Sequence, residues 1–149
     1  MNIGSYCNRE VITSSADATV REVAQLMRQH HVGIIVIVQP TEDGNRPIGI
    51  VTDRDLVVEL VAQDVPLESV TVTDLMMTDL ITAEETDDLM GTISLMKRKG
   101  IRRIPVVSRE NDLVGILAVD DVLELISEQM VNIVKLISRE VEEEKNLHS

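Results

Sequence analysis

Aromatic side chains are almost missing from this chain: one tyrosine, no tryptophan and no phenylalanine in 149 residues. The stacking platforms on which single-stranded nucleic acid lies are therefore absent. Cations are also short, 14 Lys and Arg against 26 Asp and Glu. The net charge of −12 argues against generic binding to DNA, RNA or anionic membranes, which depends on clustered Lys and Arg. A single cysteine makes no internal disulfide, in keeping with a reducing compartment. No apolar run approaches the roughly 20 residues that span a bilayer, and the opening MNIGSYCNRE lacks the basic-then-apolar order of a signal peptide. The expected location is the cytoplasm, with neither nucleic acid nor membrane as a partner. Nor does the chain hold a nucleophile–base–orienter set or a Walker-type loop. His30 and His31 have no Cys, His or carboxylate at ligand spacing. Catalysis, a metal site and a required cofactor are not expected.

What is present is a repeat. Shifted by 69 residues, Val11–Val32 lies on Leu80–Ile101, with Ile12 on Ile81, Val20 on Leu89, Met27 on Met96 and Val32 on Ile101. Upstream, Ile3, Tyr6 and Cys7 fall on Val72, Leu75 and Met76; downstream, after three extra residues in the first copy, GIVTDRDL (49–56) falls on GILAVDDV (115–122). Two units of about 60 residues thus occupy 3–63 and 72–129, with 64–71 as linker and 130–149 as a further segment. Periods of this size are looked for first because they decide the whole architecture.

Both units share one order of elements. A short strand (Val11–Thr13, Leu80–Thr82) leads to an amphipathic helix (Val20–His30, Leu89–Lys99), whose buried stripe is set by Val20, Val23, Ala24 and Met27 at helical spacing. Thr19 with Glu22 forms a capping box, and Asp88 is the equivalent N-cap. Lys97-Arg98-Lys99-Gly100 reads as a basic last turn followed by a left-handed glycine, and His31 stands at that glycine's place in the first copy. A hairpin follows, Ile34–Val38 with Ile48–Thr52 and Ile104–Val107 with Leu113–Ala118, its uninterrupted Val/Ile/Leu content implying cover on both faces. A closing helix completes each unit. In the second copy it runs on past the repeat with a seam of Ile126, Met130, Ile133, Ile137 and Val141, a spacing near 3.5 that suits a partner helix.

The β-α-β-β-α order, the GIVTDRDL ending, the IRRIPVV strand after a KRKG turn and the VTDLMM before the second unit resemble a tandem pair of CBS domains. That resemblance covers about Ile3 to Met130. It implies an α+β fold with pseudo-twofold symmetry, carrying here an extended C-terminal helix. It also implies a cleft that binds an adenosine derivative such as AMP, ADP, ATP or S-adenosylmethionine as a regulatory ligand, a homodimer and a protein target. Within the family's G-x-x-[ST]-x-x-D segment the hydroxyl faces phosphate, and the acceptor-only carboxylate suits the ribose diol. Carried over, Thr52 and Asp55 match fully. Asp121 matches in the second unit, where Ala118 lacks the hydroxyl. Arg102 and Arg103 take the family's phosphate-holding position, against Gly33 and Ile34 in the first unit. Adenine is expected near Ile12 and Thr13 or near Ile81 and Thr82. On the hydroxyl alone, the Thr52–Asp55 cleft is expected to be the tighter, with the arginines free to serve either.

Plainer readings stand beside these. Asp55 and Asp121 suit the first turn of any helix, Arg102 and Arg103 could pair with Asp120 and Asp121, Arg54 reads as solvated, and Cys7 as a core thiol. The rival to a ligand sensor is a structural dimerisation module that has lost its ligand. An enzyme is the remoter alternative.

Overall fold

The computed structural model describes residues 1–76 and 79–148; Met77, the last residue of VTDLMM, lies outside them. Two three-stranded sheets form the scaffold. The first has the order β1 (Thr13–Ser15), β2 (Ile34–Pro40), β3 (Asn45–Thr52), and the second β4 (Ala83–Glu84), β5 (Arg103–Val107), β6 (Leu113–Ala118). In each sheet the first strand pairs parallel to the second and the hairpin is antiparallel. Helices α1 (Val20–His30) and α4 (Leu89–Lys99) supply the crossovers.

Their ends are locally determined. Thr19 Oγ1 accepts the Glu22 N–H at 3.1 Å while Glu22 accepts the Thr19 N–H at 3.3 Å. Asp88 caps α4 through the Gly91 N–H. Both helices end on a left-handed residue, His31 at φ 53° and Gly100 at φ 66°. Both hairpins carry a bulge, at Ile37/Val38 and at Val106/Val107.

The opening strands lie two to three residues later than the apolar pattern predicts. β1 is Thr13–Ser15 rather than Val11–Thr13, and β4 is Ala83–Glu84 rather than Leu80–Thr82. Parallel pairing with β2 and β5 decides this. Ile12 does no more than accept the Val36 N–H at 3.2 Å, and its side chain, half-buried, serves the core instead. The first closing helix also departs from regularity. α2 (Asp53–Asp55) runs on as a π-helical turn, Leu56–Val61.

The two units exchange their leading segments. Ile3, fully buried, and Cys7 pack in the second unit's core with Ala83, Leu89, Met96, Ile104 and Leu117. Main-chain bonds Ile3 N–H to Asp87 O (3.0 Å), Gly4 N–H to Glu85 O (2.9 Å) and Asn8 N–H to Ile116 O (2.8 Å) hold them there. In return α3 (Val72–Leu75) and Met76 pack in the first unit's core with Val20, Val23, Ile35, Ile37 and Val51. The packing units are therefore not the sequence units. Strands β3 and β6 touch across the pseudo-dyad.

The linker is ordered, with a 3-10 turn at Leu67–Ser69. Arg21 Nη2 reaches Glu68 Oε1 at 2.9 Å, tying α1 to it, and that hydrogen bond holds the Glu68 carboxyl below its ordinary range. α5 (Val119–His148) continues for 30 residues, about 45 Å at 1.5 Å per residue. None of the described helices is long and apolar enough to cross a membrane.

Candidate functional site

Antiparallel register brings the residues expected to bind ligand to one end of each sheet. In the first unit Ile34 stands opposite Thr52 and Ile35 opposite Val51, with Thr13 beside Val36. In the second, Arg103 stands opposite Ala118 and Ile104 opposite Leu117, with Ala83 beside Val106, so Thr82 and Ile81 come immediately before the paired row. Each row ends where a helix begins.

The helix starts are alike in backbone but not in side chain. Asp53 N–H donates to Gly33 O at 2.9 Å, and Val119 N–H donates to Arg102 O at 2.8 Å. The third helical residue is a carboxylate in both, Asp55 and Asp121, each half-buried. Thr52 and Asp55 bond to each other: the Thr52 N–H donates to Asp55 Oδ2 at 2.9 Å and the Asp55 N–H to Thr52 Oγ1 at 3.2 Å. This is a capping box, and it holds both side chains in place while leaving Asp55 Oδ1 outside the box. At the second helix start Ala118 offers no cap. There Arg102 Nη2 lies 3.4 Å from Asp120 Oδ1, an exposed pair that rests its guanidinium against its own unit's helix. Arg103 is exposed beside it, as is Arg54 on the other helix start.

Two hollows take in the remaining candidates. A cavity of about 330 Å³ lies between the units, walled by Arg46, Pro47 and Ile48 from β3 and by Leu80, Thr82, Val107 and Asn111 from the other unit. Beside its mouth the hairpins meet, Thr41 Oγ1 donating to Asp112 Oδ1 at 2.8 Å. A groove of about 290 Å³ between α5 and the exchanged N-terminal segment is lined by Asp121 with Tyr6, Cys7, Asn8 and Glu124. Arg46 and Asn111 were not anticipated from the sequence; the one signal was that Arg46 falls in the loop that interrupts the repeat. Thr52, Asp55, Arg102, Arg103, Ile12, Thr13 and Ile81 line neither hollow. Among the described residues no group of three or more His, Cys, Asp or Glu is placed to hold a metal ion.

Cys7 is a packing residue. Its thiol donates to Gly4 O at 3.6 Å, and burial pushes its pKa above the ordinary thiol value.

Two sheets related by a pseudo-dyad, each closed by a strand-to-helix junction bearing a carboxylate, define a tandem-repeat α+β module. The CBS-domain family model matches residues 3–62 and 72–128, and the chain belongs to that family. It is similar to protein MK0525 of Methanopyrus kandleri, 38% identical over 125 residues, 84% of this chain and 62% of that protein. It is also similar to the CBS domain-containing protein YhcV of Bacillus subtilis, 38% identical over 112 residues, 75% of this chain and 76% of that protein. Among solved structures it resembles the CBS domain pair of protein MJ0100 in complex with 5-methylthioadenosine and S-adenosyl-L-methionine. The TM-score is 0.71 at 25% identity, over 85% of this chain and 99% of that one. The chain thus spans less than two thirds of the MK0525 protein.

Proposed function

We propose that this protein is a non-catalytic sensor in the cytoplasm. It binds an adenosine derivative at the strand-to-helix junctions, works as a homodimer, and reports occupancy to a protein target. The observation that carries this reading is the recurrence of one carboxylate, Asp55 and Asp121, at the same step of two pseudo-symmetric helix starts. An acceptor-only group there suits the 2′ and 3′ hydroxyls of a ribose. The MJ0100 pair, bound to two adenosine compounds, supports the ligand class. Exposed apolar residues on α5, among them Met130, Ile133 and Ile137, support the homodimer.

The test is a thermal-shift panel of AMP, ADP, ATP and S-adenosylmethionine on the whole chain. A ligand at 100 times its Kd stabilises by about 2.7 kcal/mol, so a true ligand gives a clear rise in Tm. A charge-assisted ribose contact contributes about 1.5–3 kcal/mol, so removing Asp55 or Asp121 weakens that site by about ten- to a hundred-fold.

One observation favours the structural module instead: Thr52 and one oxygen of Asp55 already satisfy each other. Under that reading no nucleotide raises the Tm, and Asp55→Ala lowers it in ligand-free protein by the loss of a cap.

A further inference from the structure

The repeats place opposite charges at one point of the fold. In the second unit that point is Arg102, whose carbonyl closes the loop onto Val119 and whose guanidinium rests on Asp120. In the first unit it is Gly33, whose carbonyl closes the same loop onto Asp53. No side chain leaves it. A Cβ at Gly33 would stand 2.8 Å from Asp53 Oδ2 and 3.2 Å from Oδ1. The Asp53 carboxylate therefore fills the volume from which an arginine side chain departs in the other repeat.

The surrounding charges follow the same division. Along the chain, the segments 28–34 and 53–55 that meet at the first junction hold Arg28, Asp53, Arg54 and Asp55, two cations and two anions, with no net charge. The matching segments 97–103 and 119–121 hold Lys97, Arg98, Lys99, Arg102 and Arg103 against Asp120 and Asp121, five cations and two anions, a net +3 in a chain of −12, with Glu124 beyond them in the Asp121 groove.

Resting on the adenosine reading above, we infer that the two junctions sort adenosine ligands by charge. The Arg102 junction takes a phosphorylated nucleoside. The Gly33–Asp53 junction takes one without phosphate, uncharged or bearing a sulfonium. A phosphate entering the first junction meets the Asp53 carboxylate, a like charge that disfavours it. At the second junction a guanidinium offers phosphate a two-pronged, charge-assisted contact. The Arg102–Asp120 pair, exposed on both sides, is weak enough to be exchanged for it. Both junctions keep a ribose carboxylate, so selection falls on positions 33 and 102 and their neighbours. The ranking expected from the Thr52 hydroxyl is thereby reversed for nucleotides.

The experiment is calorimetry on the full chain with AMP and, separately, S-adenosylmethionine, at low ionic strength. It compares wild type, the exposed pair Arg102→Ala with Arg103→Ala, and the transplant Gly33→Arg with Asp53→Val. Wild type is expected to take one AMP per chain. The arginine pair loses ten-fold or more in AMP affinity and keeps S-adenosylmethionine; the transplant gains a second AMP site. Asp121→Ala provides an independent reading of the AMP site, which it should weaken while leaving S-adenosylmethionine in place. AMP affinity that survives the arginine pair and falls instead with Asp55→Ala overturns the sorting but leaves the adenosine reading standing. Binding of neither compound to wild type overturns that reading, and the sorting with it.

Discussion

Gly49 and Gly115 occupy the same step of the two hairpins, and each is pressed by the residue that the opposite unit lends. A Cβ at Gly115 would lie 2.7 Å from the Cys7 Sγ and 2.8 Å from the Asn8 carbonyl oxygen, while one at Gly49 would lie 2.5 Å from the Met76 Sδ. The obstacle at Gly115 includes main chain held by the paired bonds between Asn8 and Ile116. At Gly49 it is a flexible thioether. Overpacking of this kind costs about 1–3 kcal/mol. Urea denaturation should place Gly115→Ala at the upper end and Gly49→Ala lower, with Met76→Ala restoring part of the latter. Equal losses at both would remove the distinction between a rigid and a yielding neighbour. The Cys7 thiol, raised by burial, should alkylate more slowly in native protein than in urea at pH 8. Its contribution to stability is complete below the unfolded thiol's pKa and is lost as pH rises through the higher folded one. An alkylation rate equal in both states would show that the thiol is open.

Among the elements, the exchanged segments join the two halves of the chain. Ile3 is the third residue of the chain, yet it is fully buried in a core built, Cys7 apart, from residues 81–125. Ile3→Ala should cost about 2–5 kcal/mol, as large-to-small changes in cores do. Hydrogen exchange should then rise first in β4–β6 and least in β1–β3; the opposite order would mean that the segment serves its own repeat. By the same logic residues 1–66 alone should show no cooperative melt, because Val72, Leu75 and Met76 complete their core. A sharp transition from that fragment would sink the claim.

For the whole molecule the largest run of exposed apolar side chains among the described residues is on α5. Leu123, Ile126, Met130, Ile133, Ile137 and Val141 are each 45–62% exposed, and Val131, Val134 and Leu136 lie between them. A stable interface takes about 800 Å² from each partner, and an apolar band along a helix of about 45 Å is of the right scale to supply it. Truncation after Glu128 should weaken self-association in sedimentation at micromolar concentration. Undiminished association would assign the contact to the modules themselves, and a monomeric wild type would exclude the homodimer.

Local chemistry was legible from residues alone. The bounds of α1 and α4 follow from Thr19, Asp88, His31 and Gly100, and β6, Leu113–Ala118, from an apolar run that gives way to the acidic Asp120-Asp121, because caps and periodicity act over a few neighbours. The 69-residue repeat likewise announced the two-sheet plan and both carboxylates. Other features are set by residues from about twenty to more than a hundred positions apart, and only the tertiary structure decided them. Parallel pairing moved β1 and β4 off their apolar segments. The exchange sent Ile3 to the second core and Val72 to the first. Of the two readings open for Arg102, the structure shows the pair with Asp120; Arg46 became a cavity wall, and the carboxylate of Asp53 came to rest over Gly33. No pattern along the chain records where Arg46 or the Asp53 carboxylate comes to rest, since each depends on where another segment closes, and that closure is what gives two similar sequences two different strand-to-helix junctions.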